Sequence, residues 1–220
     1  MIQWVYERAA QARSVEEVRV ATDDIRVKEA VESFGGTAVM TSPDHPSGTD
    51  RIAEALGDGN PDVVINVQGD EPLIEPAAID QLVSLFDCDP RPRIGTLCTS
   101  LSREEAQDPA RVKVVFDTDG NALYFSRSPI PYPRDGQDGE YYLHLGIYAY
   151  TPETLKTFVN LPCGRLEKLE KLEQLRALEN GINIKVAVTE HSSFGVDTPE
   201  DVKKIEKKLL AAAGMGSKTG

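Results

Sequence analysis

Segments with the period of a strand alternate with segments of helical period along most of this 220-residue chain, and that alternation narrows the fold more than any other feature. Residues 18–22 (VRVAT) read as a short strand, followed by a helix over 24–34 that stops at Gly35 and Gly36. Residues 37–41 form the next strand, 48–56 a helix, and 62–68 an apolar strand rich in β-branched residues. A helix after Pro76 leads to a strand at 94–100. This order predicts a mostly parallel sheet with helices on both faces. The middle departs from it. Residues 112–116 and 122–126 flank Asp119, Gly120 and Asn121, a strong turn signal, and predict a small hairpin subdomain. A loop rich in Pro and Gly covers 129–139, and 143–150 is again a strand. Leucines at 166, 169, 172, 175 and 178 predict one helix over 166–178, with Gly181 as its cap. Residues 182–188 alternate, a last helix runs over 199–212, and 214–220 read as a frayed tail. No segment is long enough to act as a linker, so a single domain over 1–213 is expected.

Charge narrows the partners. With 36 acids against 24 bases the chain carries −12, which argues against a nucleic-acid partner but leaves a nucleotide substrate open. Cys88, Cys98 and Cys163 are odd in number and have no CxxC spacing, so neither a disulfide framework nor a zinc site is indicated. No apolar run has the length to span a membrane and no signal peptide appears, which predicts a cytoplasmic protein without a membrane partner.

Three polar motifs stand at element ends. In VVINVQGDEP the apolar run stops at Gly69 and places Asp70 beside Glu71; the alternatives are an ordinary turn and a carboxylate presented to a ligand at the carboxyl end of a strand. In GVDTPED, Thr198 and Pro199 suit the cap and first position of a helix, which leaves Asp197 unexplained. Two carboxylates from distant strands, Asp70 and Asp197, have the oxygen chemistry that Mg²⁺ takes. In DHPSGTDR, Ser47 or Thr49 is a candidate cap, and the amides around Gly48 are candidate donors to a base or ribose. Arg127, in YFSRS, offers either a bidentate grip on a carboxylate or a surface ion pair. His144, Tyr148, Glu173 and Gln174 are further polar groups beside apolar elements, and for His144 alone a satisfied core histidine is the simpler reading.

Taken in order, DHPSGTDR, NVQGDEP, VKVVFD, ALYFSRSPIP, HLGIYAY, LEKLEQLRALENG and GVDTPED resemble the 3-deoxy-manno-octulosonate cytidylyltransferases, the CMP-KDO synthetases, over nearly the whole chain. The resemblance implies a Rossmann-like nucleotidyltransferase fold and transfer of CMP from CTP to KDO with release of pyrophosphate, a step in lipopolysaccharide synthesis. It implies Asp70 and Asp197 as catalytic ligands of Mg²⁺, and Ser47, Gly48, Thr49 and Gln68 near the nucleotide. Arg127, His144, Tyr148, Glu173 and Gln174 fall at the sugar-acid site, and a homodimer is implied. Other acceptors, an acylneuraminate or an amino-KDO, and a non-catalytic sugar-acid-binding remnant are the alternatives. The family also begins with a strand and a basic loop of the form RxxSxRLPGKPL that these residues lack. A chain without them is expected to pack loosely and to be inactive.

Overall fold

The structure, a computed structural model, describes residues 1–88, 92–135, 139–191 and 195–196. The first half runs α1 (Ile2–Ala10), β1 (Val20–Thr22), α2 (Ile25–Ser33), β2 (Ala38–Met40), α3 (Gly48–Leu56), β3 (Val64–Asn66), α4 (Pro76–Ser84) and β4 (Ile94–Leu101). The second half runs α5 (Arg103–Ala106), β5 (Lys113–Phe116), β6 (Ala122–Ser126), β7 (Tyr141–Tyr150), α6 (Pro152–Val159), α7 (Arg165–Glu170), α8 (Leu175–Glu179) and β8 (Ile184–Val188). The expected helix over 199–212, the tail over 214–220 and Asp197 lie outside the described residues.

The α/β class holds, with one difference in pairing. β7 runs antiparallel to β4 on one side and to β3 and β5 on the other, so β3, β4, β5 and β8 share a direction that β6 and β7 oppose. Most strands therefore point one way, as expected of a mostly parallel sheet, yet β4 with β8 is the one parallel ladder of the six-stranded sheet among the described residues. The alternation rule missed this because the hairpin returns the chain to the sheet centre in the opposite sense. β1 and β2 pair in parallel as a separate two-stranded sheet.

Period-two alternation sorts the core. Ile94 and Cys98 of β4, Tyr150 of β7 and Ile184 of β8 join Phe158 and Leu175 on one face. Leu97, Leu145, Ile147 and Ala149 point the other way, against Ile79 and Leu82 of α4. The hairpin tip folds back on the sheet. Gly120 takes φ +79°, its carbonyl accepts from Val186 N at 2.7 Å, and a Cβ there would stand 3.0 Å from the Val186 carbonyl.

The single helix expected over 166–178 is broken in two. A strict spacing of three falls behind the 3.6-residue turn, so five leucines walk around the axis instead of lining one face. Leu172 and Leu175 are buried while Leu169 is 69% exposed, and Lys171 takes the left-handed conformation, φ 54°, between α7 and α8. Two contacts clamp the halves. Arg176 donates through Nε and Nη2 to Glu167 at 2.8 and 2.6 Å, in a nearly buried pair, and its guanidinium lies 5.0 Å from the Phe158 ring centre. Glu179 of α8 accepts from the amides of Arg165 and Leu166 at the start of α7.

That cap explains Gly164, because a Cβ on it would lie 1.9 Å from Glu179 Oε2. Gly164→Ala is expected to cost about 1–2 kcal/mol, the value of a lost cap. In a Glu179→Ala background the same change should cost little, since the obstructing carboxylate is gone. Urea unfolding of the two single variants and the double variant measures the coupling, and strictly additive losses would refute it.

Candidate active site

β3 ends at Asn66, which is buried and pairs with Tyr148 of β7. Gln68 donates to Asn66 Oδ1 at 3.0 Å, and a Cβ on Gly48 would stand 3.9 Å from Gln68 Oε1. The amino end of α3 therefore faces the turn after β3. Ser47 is the cap: its hydroxyl accepts from Asp50 N at 3.3 Å and donates to Asp50 Oδ2 at 2.6 Å. Ser47 thus has a structural task, and among the described residues the amides of Gly48 and Thr49 are left as donors for a ligand. Asp70 is half-buried, and among the described residues its carboxylate makes no hydrogen bond or ion pair, so its oxygens are free to ligate a cation. Its carbonyl accepts from Val196 N at 2.9 Å, which brings Gly195 and Val196 to the turn.

A second group gathers on the face of β7 that packs under α8. Thr49 Oγ1 donates to Glu173 Oε2 at 2.6 Å, joining the α3 end to the break between α7 and α8. Gln174, the last residue of that break and the cap position of α8, is buried. Tyr148 stacks on Tyr150 with ring centres 6.0 Å apart, and His144 lies 5.3 Å from Tyr148 and 5.0 Å from Phe125. Among the described residues two enclosed polar atoms lack a hydrogen-bond partner: Tyr148 Oη and Glu173 Oε1. Arg176 Nη2 stands 3.7 Å from that Glu173 oxygen, beyond hydrogen-bond reach. Burial raises the Tyr148 phenol well above its usual range, with Tyr150 and Glu173 adding to the rise. Burial also lowers His144, to about 3, so the imidazole is neutral.

Arg127 is occupied differently from the expected carboxylate grip. Nε donates to Glu170 O at 2.8 Å, Nη1 to Pro109 O at 3.0 Å and Nη2 to Lys171 O at 3.5 Å. Three of five N–H donors thus go to main-chain carbonyls, and two are left for a ligand. The Glu170 carboxylate holds Ser126 Oγ at 2.7 Å and Arg127 N at 3.0 Å. Lys113, fully buried, donates to the carbonyls of Asp108, Arg111 and Arg127 at 3.0, 2.6 and 2.5 Å. Lys113, Glu170, Asn66 and Thr96 escaped the reading of the sequence. Only a lysine inside the apolar strand VKVVF signalled one of them.

The structure therefore brings Gly48 and Gln68 together beside Asp70, and gathers Thr49, His144, Tyr148 and Glu173, with Gln174 next in sequence, into an adjoining buried cluster, with Tyr148 bridging the two through Asn66. Arg127 stands at the carboxyl end of α7. Among the described residues no helix is long and apolar enough to cross a membrane.

Comparison with known proteins gives the family. A family model described as cytidylyltransferase matches residues 1–185. An 8-amino-3,8-dideoxy-manno-octulosonate cytidylyltransferase of Shewanella frigidimarina (strain NCIMB 400) is 56% identical over 214 residues, covering 95% of this chain and 87% of its own. An enzyme of the same name from Shewanella putrefaciens (strain CN-32 / ATCC BAA-453) is 55% identical over 217 residues, covering 96% and 89%. A solved structure of a CMP:2-keto-3-deoxy-manno-octonic acid synthetase in complex with CTP superposes with a TM-score of 0.92 at 47% identity, covering 96% of this chain and 88% of that one.

The depressed His144 pKa links the pocket to stability. Below about pH 6.5 the unfolded imidazole takes up a proton that the folded one refuses, so stability is whole above that pH and falls as pH drops towards 3. The slope reaches about 1.4 kcal/mol per pH unit. Denaturant unfolding at pH 7, 6 and 5 should show this loss, and His144→Gln should flatten it before the carboxylates titrate. Parallel slopes in the two proteins would contradict the assignment.

Proposed function

The chain belongs to the cytidylyltransferase family, and from that premise we propose that it transfers CMP from CTP to 8-amino-3,8-dideoxy-manno-octulosonate with release of pyrophosphate. It is a nucleotidyltransferase by family, and the acceptor is the finer point. KDO itself, the first expectation from the sequence, becomes the second reading, favoured by the likeness to the CTP-bound synthetase. The amino sugar is supported by the two Shewanella relatives and by one observation in the pocket. The enclosed Glu173 Oε1 has no donor, and a substrate ammonium supplies one with opposite charge. Leaving such an atom unpaired costs about 1–3 kcal/mol, which occupancy by the acceptor would recover.

In this reading the acceptor's 2-hydroxyl gives its proton to solvent, its oxygen bonds to the α-phosphorus of CTP, and the bond to the bridging oxygen breaks so that pyrophosphate leaves. The α3 amides and Gln68 receive the nucleotide, and Tyr148, His144, Glu173 and Gln174 orient the sugar. Arg127 offers its two remaining N–H groups to the sugar carboxylate. Asp70 and Asp197 would hold Mg²⁺, which bound there offsets the phosphate charge. The lack of partners on the Asp70 carboxylate suits that task. The described residues form one catalytic unit in this proposal; the homodimer rests on the resemblance alone, and the cytoplasmic location on the expectation from the sequence.

Pyrophosphate release measured with CTP and each sugar decides the acceptor: kcat/KM should be higher for the amino sugar than for KDO, and the reverse order would favour the second reading. Glu173→Gln should lower kcat/KM about tenfold more for the amino sugar than for KDO, the worth of one charge-assisted hydrogen bond. Asp70→Asn should cut turnover about 100-fold or more while leaving the unfolding midpoint unchanged. Normal turnover by that variant in Mg²⁺ would remove Asp70 from the metal.

A further inference from the structure

β4 and β7 fall out of register between Thr96 and Leu97. Thr96 pairs with Tyr148 and Leu97 with Leu145, so Gly146 and Ile147 are extra residues on β7. Such a bulge re-aims side chains and takes carbonyls out of the ladder. Thr96, which is fully buried, fills the defect. Its Oγ1 lies 2.8 Å from Ile147 O, 3.2 Å from Leu145 O and 3.1 Å from His144 Nε2.

Counting protons favours one direction for these bonds. A hydroxyl has one hydrogen, and a carbonyl only accepts, so that hydrogen goes to the buried bulge carbonyls, with Ile147 O the nearer. The contact with His144 then requires Nε2 to carry a hydrogen and donate it to Thr96 Oγ1. A neutral imidazole with Nε2–H has a bare lone pair on Nδ1. Among the described residues Nδ1 receives no hydrogen bond, and the ring packs against Tyr148, whose Oη is itself unpartnered.

We propose that Thr96 is a positioning residue: it locks His144 as the Nε2–H tautomer and thereby presents Nδ1 as an acceptor for a hydroxyl of the sugar substrate. Thr96 touches neither substrate in this scheme and acts through His144. The substrate half of the proposal rests on the acceptor pocket described above, whereas the tautomer half rests on the hydrogen-bond count.

The test reads the two halves separately. Long-range ¹H–¹⁵N correlation spectra of the protein should give His144 the shifts of a protonated Nε2 and an unprotonated Nδ1 near pH 7. In Thr96→Val, of nearly equal shape, the ring should move to a mixture of tautomers, and Thr96→Ser should restore the single form. With the amino sugar and with KDO, Thr96→Val should raise the acceptor KM about tenfold, the loss of one enclosed hydrogen bond, with the CTP KM changed less than twofold. Thr96→Ser should recover the KM. An Nδ1–H tautomer in the unaltered protein overturns the proposal without any variant, as does a Thr96→Val change in tautomer with no change in acceptor KM. Failure to turn over either sugar would instead refute the reading of the function, and the spectra would still decide what Thr96 does.

Discussion

The hydrogen-bond demand of β7 organises this protein. A ten-residue strand at the centre of a sheet must find partners for its amides and carbonyls on both edges, or leave buried groups unpaired at about 1–3 kcal/mol each. β4 meets the demand on one edge, and β3 and β5 share the other, taking opposite ends of the strand. The consequence is positional. Tyr148 is held between Asn66 and Thr96, and His144 opposite Cys98, so the polar residues of β7 are aligned with those of its neighbours by the ladder itself.

Much of this was legible in the sequence. The apolar run ending at Gly69, the hairpin at Gly120 and the helix opening at Ser47 rest on local chemistry that acts over a few residues, and they appear where that chemistry puts them. What was not legible depends on distant partners. The leucine spacing of three looked like one helix because the count ignored the angular drift per turn, and the clamp that divides it, Glu167 with Arg176, joins residues whose pairing only the fold creates. Arg127 was read as a carboxylate grip or a surface ion pair because nothing in YFSRS announces carbonyls from Pro109, Glu170 and Lys171. Thr96 was invisible for the same reason: its role needs a bulge in a strand some fifty residues away.

The break between α7 and α8 also shows how a buried ion pair is used. Glu167 and Arg176 gain little net stability over an apolar pair of equal volume, because both lose their water. What the bidentate geometry contributes is an angle. It fixes α8 against α7 so that Glu173 and Gln174 emerge at a turn instead of being wound into a continuous helix.

The bond from Thr49 to Glu173 has a thermodynamic meaning. One residue belongs to the helix whose amides face the turn after β3, the other lies beside the two orphan atoms, and Thr49 donates its hydroxyl hydrogen to Glu173 at 2.6 Å. Whatever free energy is exchanged through that contact when one side fills must be returned in equal measure when the other does, since linkage between two binding equilibria is reciprocal. The order in which two ligands arrive can then alter the kinetics of filling, but never the size of their mutual influence.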